Sequence, residues 1–136
     1  MTAADIAALC AHAERDYPNE CCGVLLGDLV GDVRHIRELR PATNVHNGDT
    51  ERRYLVSPEL MLELMRQERT TGRLILGFYH SHPDCAAIPS ECDREWAFPF
   101  YTYIIVSVQQ GEAQAPLAWL LSDDRERFLA ETIEVK

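Results

Sequence analysis

Gly77-Phe78-Tyr79-His80-Ser81-His82-Pro83, with the Ser90-Glu91-Cys92-Asp93 that follows it, is the stretch that decides the fold. The apolar Leu74-Ile75-Leu76 ahead of it predicts a buried strand. Alternate side chains of a strand share a face, so His80 and His82 can address one point in space. Pro83 stops the strand and turns the chain. Asp93 then returns after a loop over Asp84 to Pro89. Two histidines and a carboxylate make three ligands, the set used at hydrolytic zinc sites that keep one position for water.

Working outward toward the C-terminus, Ser90 begins a short helix running toward Pro99. Ser90-x-x-Asp93 ahead of a helix is also a capping box, so Asp93 has a purely structural alternative. Tyr101 to Val108 alternates and is apolar, which predicts a core strand. Gln109 to Gln114 reads as a turn and Pro116 to Leu121 as another strand. Phe128 to Val135 reads as an edge strand or tail.

Toward the N-terminus, Ser57-Pro58-Glu59 is a helix start, with serine as cap and proline at the first position. Leu60, Met61, Leu64 and Met65 form that helix's expected buried stripe, and Thr71-Gly72 closes it. Tyr54-Leu55-Val56 reads as a brief strand. Arg40 to Arg52, with Pro41, Asn44, Asn47 and Gly48, reads as a loop. Val33 to Leu39 predicts a strand antiparallel to Cys21 to Leu26, with the turn placed over Gly27 to Asp32. Thr2 to Tyr17 predicts an amphipathic helix with Ile6, Leu9, Cys10, Ala13 and Tyr17 on one face. Thr2 and Asp5 cap it, and Pro18 ends it. The order α-β-β-β-α-β-α-β-β-β predicts an α/β (α+β) fold, one mixed sheet flanked by helices, in a single domain over residues 1–136.

The chain has 136 residues, 46% hydrophobic and 26% charged, as in ordinary globular proteins. A net charge of −9 argues against non-specific binding to nucleic acid or anionic membrane. Five cysteines suggest no disulfide framework, and a reducing cytoplasm is the expected compartment. Cys10, Cys21 and Cys22 read as small buried residues. Neither a signal peptide nor a membrane span is evident in the sequence.

His80-x-His82-Pro83, six residues, Ser90, two residues, Asp93 reproduces a complete family pattern. Upstream, Glu20, Cys22, Gly23, Leu25 and Gly27 fill a Glu-x-Cys-Gly-x-Leu-x-Gly setting. In both motifs the chain resembles the JAMM (MPN-plus) zinc metallopeptidases, in their compact prokaryotic form. The resemblance implies a cytidine-deaminase-like, mostly antiparallel mixed sheet and one zinc ion per chain. His80, His82 and Asp93 would be its ligands. It makes Glu20 the general base, since no bound ligand can carry the proton itself. It gives Ser90 a hydroxyl donated to the oxyanion, in competition with its capping role. It further implies a peptidase or isopeptidase acting after the C-terminal Gly-Gly of a ubiquitin-like sulfur-carrier protein, whose tail lies extended in a groove beside the zinc.

Other assignments remain open at this point. Cys85 or Cys92 could replace Asp93 in a His2Cys site. Trp96 and Phe98 could wall a substrate groove, though a core role is expected. Gly23 is expected to allow close backbone approach near the metal. His12, His35 and His46 receive no role. A metal-free interaction module of the same fold, a non-haem iron oxygenase using the two-histidine-one-carboxylate triad, and a DNA-linked relative are the competing functions.

Overall fold

The computed structural model describes residues 1–136. In chain order the elements are α1 (Ala3–Asp16), β1 (Cys22–Val30), β2 (Val33–Ala42), α2 (Pro58–Thr71), β3 (Leu74–Pro83), α3 (Glu91–Trp96), β4 (Thr102–Gln109), β5 (Glu112–Ala113), β6 (Leu117–Leu121) and β7 (Phe128–Glu131). The strands form one sheet in the order β2-β1-β3-β4-β6-β7, with β5 paired to β4. Only β3 and β4 run parallel; the crossover between them contains α3. Every other pairing is antiparallel.

The helix ends follow their local chemistry. Thr2 and Asp5 form the reciprocal capping box of α1. Ser57 caps α2, Pro58 stands at its first position, and Gly72 ends it in the left-handed region at φ 72°. One side of the sheet packs against α1 through Leu9, Ala13, Cys21, Leu25, Tyr79, Ile104 and Val106. The other side holds Val24, Leu26 and Leu64 of α2, with Phe78 against them. Ala97, Tyr103 and Leu121 close the α3 end.

Four local expectations need correction. The β1–β2 hairpin extends through Leu29 and Val30 to a turn at Gly31–Asp32, with a bulge after Leu26. Gly27 is therefore inside the strand, where a β-carbon would run into the His35 carbonyl. Arg40 to Ala42 continue β2 rather than opening the loop. Tyr54-Leu55-Val56 pairs with no strand; its backbone is tied to the loop instead. Met65 is 51% exposed, so the buried stripe of α2 is Leu60, Met61 and Leu64 only.

A candidate metal centre at the end of β3

The pairing of β1 with β3 places Cys22 opposite His80. Ser81 donates its amide to the Cys21 carbonyl, which carries the alignment back one step and brings Glu20 beside His82. Glu20, Cys22 and Val24 share a side of β1, the side away from α1. His80 and His82 share that side of β3. The α3 crossover then brings Asp93 over the strand end. The structure thus brings Glu20, His80, His82 and Asp93 together from three separate segments, and all four are largely or wholly shielded from solvent.

The distances are short and nearly equal. His80 Nε2 lies 3.1 Å from His82 Nε2. Asp93 Oδ2 lies 3.1 Å from His82 Nε2, and Asp93 Oδ1 lies 3.3 Å from His80 Nε2. Ligands about 2.0–2.2 Å from a tetrahedral zinc would stand roughly 3.3–3.6 Å from one another, so a small outward shift of these side chains fits the ion. Chemistry points the same way. His82 Nδ1 is 2.8 Å from the Ala86 carbonyl, which can only accept. Nδ1 therefore carries a proton, and in the neutral ring, the form that binds a metal, Nε2 would be bare. That lone pair faces a second imidazole nitrogen and a carboxylate. A proton on His80 Nε2 can satisfy one of these contacts at a time, whereas a metal ion in the same place would satisfy all three.

The loop that supplies the Ala86 carbonyl is itself pinned. Ser107 Oγ donates to the Cys85 carbonyl and Trp119 Nε1 to that of Ala87. Such outer contacts hold a ligating ring in one tautomer and one orientation. His80 is held differently: the Tyr54 ring stacks on it at 4.4 Å and 20°, and no protein acceptor reaches its buried Nδ1.

Burial lowers the pKa of His80, outweighing the pull of Asp93. Burial acts the same way on His82, but the Asp93 hydrogen bond and the Ala86 carbonyl outweigh it, and the pKa is raised. Burial would raise Asp93; the charge and hydrogen bond of His80, the hydrogen bond of His82 and the Ser90 amide hold it well below the usual carboxylate range. Burial pushes Glu20 up to about 8, with His82 opposing the shift and Asp93 adding to it. Glu20 Oε1 is buried with no hydrogen-bond partner. An unpartnered buried carboxyl oxygen is costly and marks a position kept for chemistry.

The two readings of Asp93 hold at once. Ser90 Oγ accepts from the Asp93 amide at 3.0 Å, and Asp93 Oδ2 accepts from the Ser90 amide at 2.8 Å. The capping box aims the carboxylate at the histidines. Nor does capping compete with donation at Ser90. As a cap its oxygen uses a lone pair, and its hydroxyl proton stays available on an exposed side chain.

The cysteine alternative finds no support, since neither Cys85 nor Cys92 joins the cluster: Cys85 is exposed, and Cys92 Sγ is engaged by Arg53 at 2.6 Å. Two expectations fail here. Gly23 makes room for the Tyr79 ring on the α1 side, not for a metal. Trp96 is 77% exposed and Phe98 52% exposed, so neither is core. His12, assigned nothing, is buried against Tyr79 on the α1 side. Sequence reasoning missed Tyr54 and Arg53, whose Arg-Arg-Tyr setting inside a polar loop gave no periodic signal.

Residues 2–122 match the family model described as prokaryotic homologs of the JAB domain. The chain belongs to that family. This JAB-domain chain is 38% identical over 96 residues to a desampylase of Haloferax volcanii, covering 70% of this chain and 67% of the relative. It is 37% identical over 105 residues to the CysO-cysteine peptidase of Mycobacterium tuberculosis, covering 75% and 68%. A solved protein from Desulfitobacterium hafniense superposes with a TM-score of 0.85 at 30% identity, over 99% of this chain and 90% of that one. A JAB1/MPN domain protein from Archaeoglobus fulgidus shares the fold, with a TM-score of 0.58 at 20% identity over 96% and 89%. The JAB-domain fold and the enzyme class, a JAMM-type metallopeptidase, are therefore as the two sequence motifs implied. No helix of this JAB-domain chain is long and apolar enough to cross a membrane.

Proposed function

We propose that the chain is a zinc-dependent peptidase or isopeptidase that cleaves after the C-terminal Gly-Gly of a ubiquitin-like sulfur-carrier protein. His80, His82 and Asp93 would hold the ion. One observation carries this reading: two imidazole nitrogens and a carboxylate meet within 3.1–3.3 Å beside a buried, unpartnered Glu20 oxygen. The named relatives, a desampylase and a CysO-cysteine peptidase, support the choice of substrate class.

When bound, zinc polarises a carbonyl and lowers the pKa of a coordinated water to about 7. The rest is done by the chain. Asp93 stays ionised, and His82 keeps its proton on Nδ1 through Ala86, so both present lone pairs inward. Glu20 takes a proton from the attacking water and delivers it to the leaving nitrogen. Glu20, raised to about 8 by burial in the metal-free site, would be stabilised as a carboxylate beside a bound cation, which would favour its role as proton acceptor. Ser90 donates its free hydroxyl hydrogen to the oxygen that gains charge as the carbonyl becomes tetrahedral. The exposed Trp96 and Phe98, on the helix that carries Asp93 and just beyond it, offer apolar surface near the substrate.

The test is incubation with the source organism's own sulfur-carrier protein extended beyond its Gly-Gly. Mass spectrometry should show a product ending at Gly-Gly, and Glu20→Gln should abolish it. An uncleaved carrier, or equal cleavage by Glu20→Gln, contradicts the proposal.

A further inference from the structure

Asn44 lies in the loop between β2 and α2 and makes four side-chain hydrogen bonds. Its Nδ2 donates to the carbonyls of Glu20, at 3.1 Å, and Arg53, at 2.9 Å. Its Oδ1 accepts from the amides of His46 and Leu55, each at 3.1 Å. A primary amide has two donor hydrogens and two acceptor lone pairs, so every capacity is used. The orientation is also fixed: a half-turn would set oxygen against two carbonyls and nitrogen against two amides.

Three of the four partners lead to the site. One is the main chain of Glu20. Two more, Arg53 and Leu55, bracket Tyr54, whose ring covers His80. The same loop also holds Glu20 from its other backbone group, since the Glu20 amide donates to the Thr50 carbonyl at 2.7 Å. Arg53 then reaches Cys92, next to Asp93. The strand alignment reaches Glu20 only through the Ser81–Cys21 bond, and Tyr54 lies in irregular chain, so the Asn44 contacts hold what the sheet leaves loose: the Glu20 carbonyl and the chain on either side of Tyr54.

We infer that Asn44 is a positioning residue that sets Glu20 and Tyr54 in register with the histidine pair. The inference rests on the roles given above to Glu20 and His80. No other residue of similar size replaces it. Alanine removes all four bonds. Aspartate keeps both acceptances but turns a carboxylate oxygen on the carbonyls of Glu20 and Arg53.

The test uses the full chain with Asn44→Ala, Asn44→Asp and Tyr54→Leu. In metal-free protein, the ring protons of His80 should carry the ring-current shift of stacked Tyr54 in their NMR signals. Tyr54→Leu defines the unstacked value, and both Asn44 variants should move the signals toward it. Titration with zinc should show affinity weakened about tenfold or more in Asn44→Ala, the scale of lost outer-shell support. At saturating zinc, kcat on the extended carrier should fall by about 10-fold to 100-fold, the scale of a misplaced group, with KM within about twofold. If Asn44→Ala does not fold, Asn44→Asp carries the same readings. His80 signals unmoved in a folded Asn44 variant overturn the inference whatever the activity. Moved signals in a chain that cleaves no carrier support the positioning role and count against the proposed function alone.

Discussion

Two sides of one strand, β3, are finished differently. On the α1 side every polar group has a partner. The Tyr79 hydroxyl lies 2.9 Å from His12 Nδ1, and His12 Nε2 lies 3.3 Å from Asp16. Ser81 Oγ accepts the Cys21 amide at 2.8 Å. On the opposite side His80 and His82 turn nitrogens toward each other, and Glu20 leaves an oxygen unpaired. A buried polar group without a partner costs about 1–3 kcal/mol, so a fold tolerates such a group where a ligand or a reaction will use it. The alternation of a strand lets one segment do both jobs, and the contrast separates structural polar groups from chemical ones more sharply than residue type does.

The contrast can be broken by substitution on either side. The largest effect is expected at Glu20. Glu20→Gln should lower kcat by about 10²–10⁴-fold, as loss of a general base does, with zinc content unchanged. The same residue should contribute to the pH dependence of the metal-free protein. Its folded pKa, about 8, stands above the ordinary 4.5, so the native state retains a proton that the unfolded chain has lost. This contribution to stability is whole below about 4.5 and is lost as pH rises toward 8. The slope is at most about 1.4 kcal/mol per pH unit. Urea titrations of chelated protein should show it as a difference between wild type and Glu20→Gln, the variant losing less stability as pH rises. Ser90→Ala comes next, with kcat down about 10²-fold or more and some loss of helix capping.

Substitutions on the α1 side should act on stability and leave catalysis alone. Gly23→Ala drives a methyl into the Tyr79 ring. It should cost about 1–3 kcal/mol of unfolding free energy, with kcat for the remaining folded enzyme unchanged. Tyr79→Phe leaves His12 Nδ1 without its partner and should cost about 1–2 kcal/mol, again without a change in kcat. A large catalytic loss in either variant would show that the two sides are not independent.

What was legible in the sequence follows from how local each signal is. Thr2 with Asp5, Ser57 with Pro58, and Gly72 mark helix ends by contacts within a few residues, and the structure has the ends there. His80 and His82 sit two apart on a strand, so their shared direction followed from the pleat alone. The proximity of Glu20 needed the β1–β3 register, which came only through the family motif. Other features had no local signal. Asn44 draws partners from residues 20, 46, 53 and 55, and nothing in its neighbours announces that. Gly27 looked like part of a turn, and it is a close-packed strand glycine beside a bulge. The motif setting beside Glu20 points Gly23 toward the metal, but alternation along β1 sends it to the other side. Apolar character alone points Trp96 and Phe98 to the core, but a six-residue helix and the chain just after it leave them in solvent.

We propose that one divalent ion is gripped at the end of β3 by His80, His82 and Asp93, and calorimetric titration of chelated, folded protein with zinc tests this most directly. Wild type and Glu20→Gln should each bind one zinc ion per chain, and His82→Ala should lose that binding. A wild type that takes up no zinc, or a His82→Ala variant that binds it equally well, would contradict the account.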